Sequence, residues 1–174
     1  MGKEKKPVIG VVGGGRQLLR ITYSGIFDVD ELFGAIKSFF NERKYTFIQE
    51  EHTETIKTSG REIKINISPE RNVDEYVKFK INLEVLGWRC TDVLIDEDGK
   101  KVKKQRGDLE IRFKSSMAKN YKKTFKGNKF GEFLRQTYEK YITKDRLSKY
   151  EDKLTDETNE LINRIKTTLG QYTR

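Results

Sequence analysis

Within the stretch from Asp74 to Leu86 apolar and polar residues alternate without a fault from Val77 to Val85. Val77, Phe79, Ile81, Leu83 and Val85 fall on one side, and Lys78, Lys80, Asn82 and Glu84 on the other. A period of two predicts a strand with one dry and one wet face. The pattern recurs at Ile63, Ile65 and Ile67, stopped by Ser68-Pro69, and at Leu109, Ile111 and Phe113. Leu18 to Tyr23 reads as a first strand broken by Ser24-Gly25. Tyr45 to Lys57 reads as extended, with Thr58-Ser59-Gly60 as a turn. Gly87 marks a bend or a bulge, after which Trp88 to Ile95 resumes the extended pattern. Asp98-Gly99 is a hairpin signal, because both residues tolerate positive φ. The expected sheet is an antiparallel meander of about five to six strands.

Two segments change to helical spacing. Asp28 and Glu31 have the separation of a capping box, and Leu32, Phe33, Ile36, Phe39 and Phe40 then form one apolar face, predicting a helix over 28–43. In the last third, Phe130, Phe133, Leu134, Thr137, Tyr138, Tyr141 and Ile142 make an amphipathic stripe. Leu147, Tyr150, Leu154, Leu161, Ile165 and Leu169 extend it roughly in heptads. A break at Thr143 to Asp145, or at Thr155-Asp156, would divide it into a pair. Unbroken from Lys129 to Leu169 it would reach about 60 Å, longer than a small sheet. The second six residues are therefore expected to offer a docking surface to a protein partner or to a second copy of the chain. The organisation expected is a flexible basic and glycine-rich tail over 1–16, a sheet with its helix over 17–126, and a helical segment packing on the sheet over 127–170, one α+β domain in all.

Composition changes this picture little. Charged residues make up 36% of the 174 positions and hydrophobic ones 34%, yet the ten Phe and eight Tyr sit in the periodic segments, so the chain folds. Cys90 is the lone cysteine and gives no intrachain disulfide, in keeping with a cytoplasmic protein. Val8 to Val12 is too short for a signal-peptide core, and no run is long enough to span a membrane.

Charge is informative. The net charge is +9, and from Gly99 to Lys126 eleven Lys and Arg face only Asp108 and Glu110. Lys100, Lys101, Lys103, Lys104, Arg106, Arg112, Lys114, Lys119, Lys122, Lys123 and Lys126, with Tyr121 and Phe125 among them, are candidates for a nucleic-acid surface. Cations would hold phosphates and rings would stack on unpaired bases. No RNP, KH or zinc-finger signature accompanies them.

Motifs that carry chemistry are scarce. Gly10-Val11-Val12-Gly13-Gly14-Gly15 lacks the G-x-G-x-x-G spacing and precedes a strand instead of a helix, so it reads as a hinge. His52, the one histidine, shares a strand face with Glu54, too few ligands for a transition metal. Asp96-Glu97-Asp98-Gly99 is too short for a calcium loop and reads as a turn. No nucleophile elbow is present. No catalytic residue, metal or cofactor is assigned.

The order β-α-β-β-β-β-β followed by a long helix resembles the helix-grip fold of START-like ligand carriers, which implies a sheet wrapped on a terminal helix around an apolar cavity. Four phrases are similar to an uncharacterised archaeal family. They are Tyr23-Ser24-Gly25-Ile26-Phe27-Asp28, Tyr76-Val77-Lys78-Phe79, Arg106-Gly107-Asp108-Leu109-Glu110-Ile111, and Phe133-Leu134 with Tyr138 and Tyr141. That resemblance implies an α+β protein and no activity. Three functions are therefore expected in order: a non-enzymatic binding or assembly protein docking through its C-terminal helix, an RNA-binding protein using Lys100–Lys126, and a small-molecule carrier or enzyme with a helix-grip cavity.

Overall fold

Alternation becomes sheet wherever it was expected, and the strands run further than the pattern alone suggests. The computed structural model describes residues 8–10, 19–119, 133, 136 and 143–170. In chain order its elements are β1 (Val8–Gly10), β2 (Leu19–Phe27), α1 (Val29–Glu42), β3 (Gln49–Lys57), β4 (Gly60–Ile67), β5 (Glu70–Asn72), β6 (Val77–Glu97), β7 (Lys100–Lys119) and α2 (Thr143–Thr168). The strands form one antiparallel sheet ordered β3-β4-β6-β7. β2 and β1 both pair with β7, and β5 pairs with β6. The architecture is α+β, with a short N-terminal helix and a C-terminal helix packed on the sheet. No helix among the described residues is long and apolar enough to cross a membrane.

The antiparallel sheet is as expected, and it counts seven strands among the described residues when the three-residue β1 and β5 are included. Two boundary expectations need correction. The additional β1 lies within the supposed tail: Val8–Gly10 pairs with Ser116–Ala118 on a stretch of β7 that β2, ending its pairing at Phe113, leaves free. The glycines at 13–15 lie outside the described residues. β2 runs through Ser24-Gly25, because Gly25 pairs with Gly107 and Ser24 Oγ donates to Asp108. Of the bend or bulge expected at Gly87, β6 carries the bulge, placed just beyond it between Trp88 and Thr91, with regular pairing on either side.

That bulge is built from close approaches. The extra residue puts Arg89 at φ 53 and turns Cys90 inward, 1% exposed. A Cβ on Gly107 would lie 2.8 Å from the Trp88 carbonyl oxygen, and one on Gly60, at φ 123, would lie 2.9 Å from the Arg89 carbonyl carbon. Only glycine lets the neighbouring backbones come this near. At the hairpin tip Asp98 and Gly99 both have positive φ, as a two-residue primed turn requires.

α1 begins where Asp28 accepts from the Glu31 amide and buries Leu32, Ile36, Phe39 and Phe40. α2 covers the same face of the sheet. It passes straight through Thr155-Asp156, where a break was allowed, because Thr155 and Thr158 donate back to the carbonyls of Glu151 and Leu154. The hydroxyls are satisfied within the helix and do not interrupt it. Twenty-six residues make it about 39 Å long. Of the preceding stripe only Phe133 is described, helical and exposed like its neighbour Gln136; the other residues of the stripe lie outside the described set.

The core sits between this face and the helices. Phe39, Phe40, Phe79, Ile111, Met117, Leu154 and Leu161 are all under 2% exposed. Phe40 packs edge-on to Phe39 and Tyr45 at 5.3 Å in each case, a geometry worth about 0.5–1.5 kcal/mol per pair beyond area burial. Two polar contacts cross the interior. Ser115 and Thr158 share a 2.6 Å hydrogen bond, and Glu157 on α2 receives Arg71 and Tyr45.

Candidate functional site

Two expected surfaces are altered by the fold. The six-residue stripe is not available for docking. Leu154, Leu161 and Ile165 are fully buried, Leu169 is 6% exposed, and Leu147 and Tyr150 pack against the core. The apolar face that suggested a partner is used up against the chain's own sheet and α1, which corrects the docking expectation for those residues.

The basic stretch is divided and partly neutralised. β7 pairs with β6, and β6 brings carboxylates that are remote in sequence. Lys104 meets Glu97, Lys103 meets Asp92 at 2.9 Å, and Arg112 meets Glu84 at 2.9 Å and its own strand's Glu110 at 2.6 Å. Glu97 raises the Lys104 pKa, and Glu110 followed by Glu84 raises that of Arg112. Lys103 in turn lowers that of Asp92. The register also separates the cations. Lys101 and Lys103 share one face of the ribbon with Asp92 and Asp96, while Lys100, Lys104, Arg106, Arg112 and Lys114 alternate onto the other. Lys119 closes β7. Tyr121, Lys122, Lys123, Phe125 and Lys126 lie outside the described residues. Residues 19–119 and 143–170 together hold 25 Lys and Arg against 24 Asp and Glu, so nearly all of the +9 belongs to the rest of the chain.

What the alternation of β3 did bring together is His52 and Glu54, 3.1 Å apart. Opposite Ile65 and Ile63, they point to the helix-covered side of the sheet. The row continues across the strands: Arg61 reaches Glu54 at 3.6 Å and Asp92 at 2.5 Å, and Asp92 receives Lys103. Each charge here is matched by another. Among the described residues no group of three or more His, Cys, Asp and Glu is placed to hold a metal. Cys90 lies directly across from Arg61, buried at the bulge, and desolvation pushes its thiol pKa up, away from nucleophilic use.

The larger feature is β3 itself. Eight of its nine residues are exposed and the ninth, Glu51, is intermediate. It pairs only with β4, so its far edge is unpaired among the described residues. The helices leave its inner face uncovered, and Ile56 is 84% exposed. Between β3 and α1 runs a groove of about 290 Å³. One wall is the Val29, Asp30, Phe33 and Lys37 side of α1, spaced at about one turn. The other is Phe47, Gln49, His52 and Glu54, and the floor is Ile63 and Ile65. An apolar floor with a few polar groups at the rim suits a small apolar body or the side chains of an extended segment.

Sequence reasoning treated Tyr45 to Lys57 as one more extended segment, of which Gln49–Lys57 is the strand. The signal that sets it apart was present: among its nine residues only Ile56 is apolar, so neither face was ever going to be buried. The Arg71–Glu157 pair was also missed, and no local pattern announces it.

No protein-family model matches the chain, and no curated protein sequence matches it.

Proposed function

We propose that the chain is a non-enzymatic binding protein that receives a protein partner in the groove between α1 and β3. The observation that carries this reading is a nine-residue strand exposed on both faces and along one edge, flanking an apolar-floored groove. Open edges invite pairing and are normally covered or kept short. Here the edge is long and a recess lies beside it. The charge row from His52 to Lys103 is internally matched, which fits a binding surface better than an acid–base centre.

The test is position-specific photo-crosslinking in cells, with the crosslinker at residue 52 and, as a control, at exposed residue 149 of α2. Crosslinks to a defined protein from position 52 and none from 149 support the reading. Equal yields, or none from 52, overturn it.

One observation favours a second reading, nucleic-acid binding. The nearly neutral body leaves the positive excess on the remaining residues, among them Lys122, Lys123 and Lys126. Phosphate contacts predict affinity that falls steeply with salt. Filter binding at low salt, with Lys122, Lys123 and Lys126 reversed to Glu, decides it; no binding, or binding unchanged by the reversal, removes this reading.

A further inference from the structure

We infer that the cleft between the end of α1, β5 and α2 is a binding site for a phosphate monoester, held as its dianion by Lys44 and Lys153. The site is separate from the groove beside β3 and stands or falls independently of it.

The cleft opens where two segments diverge. Thr46 and Glu70 exchange backbone hydrogen bonds at 2.8 and 3.1 Å. Residues 43–46 and 70–73 form the two walls, and Lys153 of α2 completes the lining. The space is about 450 Å³, within the range of small-molecule sites. Val73 is the one apolar residue in its walls.

Charge is uneven here. Four cations, Arg43, Lys44, Arg71 and Lys153, line the cleft against one carboxylate, Glu70. Arg71 is engaged by Glu157, Arg43 by Glu160 and Glu42, and Glu70 is itself matched by Lys78. Lys44 and Lys153 have no ion pair among the described residues, so two positive charges are left over. The Thr46 hydroxyl and the Asn72 side-chain amide line the same space, likewise without a hydrogen-bond partner among the described residues. Two ammonium groups, a hydroxyl and an amide nitrogen can all donate. A phosphate monoester answers them with nearly two negative charges and three strong acceptor oxygens at neutral pH, whereas a carboxylate brings one charge and two oxygens.

Position 44 is filled against local preference. The Tyr45 amide donates to the Phe40 carbonyl and the Lys44 amide to that of Asn41, the paired bonds of a Schellman motif. The residue after the cap of such a motif takes positive φ and is usually glycine. Here it is Lys44, at φ 58. A cation suits the negative end of a helix, but the carbonyls of Phe40, Asn41 and Arg43 are already taken by donors, the last by Arg71. What lysine adds over glycine is an ammonium at the cleft.

The probe is glycerol phosphate, titrated into the full chain at low salt, with binding read from amide chemical shifts. Inorganic phosphate and succinate, a dianion of two carboxylates, are titrated beside it. Saturable shifts at Lys44, Thr46, Asn72 and Lys153 are expected with either phosphate, and about ten-fold weaker binding with succinate. Equal affinity for the two phosphates means that the group alone is recognised, and tighter binding of the ester means that the organic part is read as well; both satisfy the inference. Lys44→Gly and Lys153→Gln should each weaken phosphate binding about ten-fold, as loss of a charged hydrogen bond dictates. Lys44→Gly should do so with the melting temperature unchanged or raised, since glycine suits φ 58. That separates a lost ligand contact from a damaged fold. Lys101→Gln, near the tip of the β6–β7 hairpin, removes the same charge elsewhere and should leave the affinity as it was. Equal weakening by Lys101→Gln, succinate bound as tightly as phosphate, or no saturable shift at the cleft overturns the inference.

Discussion

One guanidinium nitrogen of Arg71 on β5 contacts both carboxylate oxygens of Glu157 on α2, at 2.8 and 3.1 Å. The Arg71 side chain is 16% exposed and that of Glu157 10%. Tyr45 donates a 2.7 Å hydrogen bond to the same carboxylate, and Arg71 also reaches the Arg43 carbonyl. A three-residue strand at the end of the sheet is thereby fastened to the middle of a helix.

Breaking that pair from one side leaves a buried charge without its partner. Arg71→Met or Glu157→Gln should each lower stability by about 3–5 kcal/mol. The double replacement Arg71→Met with Glu157→Leu removes both charges and should recover most of the loss. Urea denaturation of the three variants measures this. Single variants as stable as the parent would show that the pair is not desolvated.

Tyr45 adds an alkaline limit. Burial, then the Glu157 carboxylate, push its phenol far above the ordinary value, so the folded state resists ionisation. Because the pKa is raised, the contribution is intact below the unfolded value near 10 and is lost as pH climbs through and beyond it. Tyr45→Phe should therefore flatten the fall in melting temperature above about pH 10. An unchanged alkaline slope would assign that fall to other groups.

An acid-side counterpart joins the two helices. Glu42 near the end of α1 accepts from both terminal nitrogens of Arg164 on α2, each at 2.9 Å. Arg164 first, and Ser38 next, hold the carboxyl down to about 2. A lowered pKa stabilises above the unfolded value and loses its effect as pH falls from about 4.5 to about 2. The melting-temperature gap between parent and Glu42→Gln should be present at neutral pH and close across that window. The carboxylate is open to solvent, so the gap should also shrink with salt.

The hydrophobic pattern made the elements legible because burial imposes it. Val77 to Val85 must alternate if one face is dry, and Leu32 to Phe40 must follow a helical period to meet the sheet. The same pattern could not say what covers the stripe on α2. Leu154, Leu161 and Ile165 would look alike facing a partner or facing Phe39 and Ile111. Nor could composition along one strand reveal neutralisation across two: Lys103 and Lys104 look unopposed until β6 sets Asp92 and Glu97 beside them. The candidate groove was half visible. His52 with Glu54 followed from alternation, whereas Phe33 and Phe47 join them only through tertiary packing.

The assignment of the stripe to the core has a direct consequence. Leu161→Ala should cost about 2–5 kcal/mol and leave the mass in solution unchanged. A residue that served an interface would behave the opposite way, altering assembly with little effect on the folded chain. Denaturation and light scattering on the same variant separate the two, and a change of mass with full stability would restore the docking role.

Two glycines give opposite expectations from the same substitution. Gly107→Ala places a methyl 2.8 Å from the Trp88 carbonyl oxygen and 3.0 Å from the Cys90 sulfur. Because the first contact is backbone, relief requires the bulge to move, at a cost of about 1–3 kcal/mol. Gly34 lies on the exposed side of α1, with nothing within 4 Å of an added Cβ. Gly34→Ala should instead stabilise by roughly 0.5–1 kcal/mol, because alanine has less backbone freedom to lose in a helix. Equal effects from the two changes would mean that the bulge between Trp88 and Thr91 yields freely, and that the close approach at Gly107 is not what holds it.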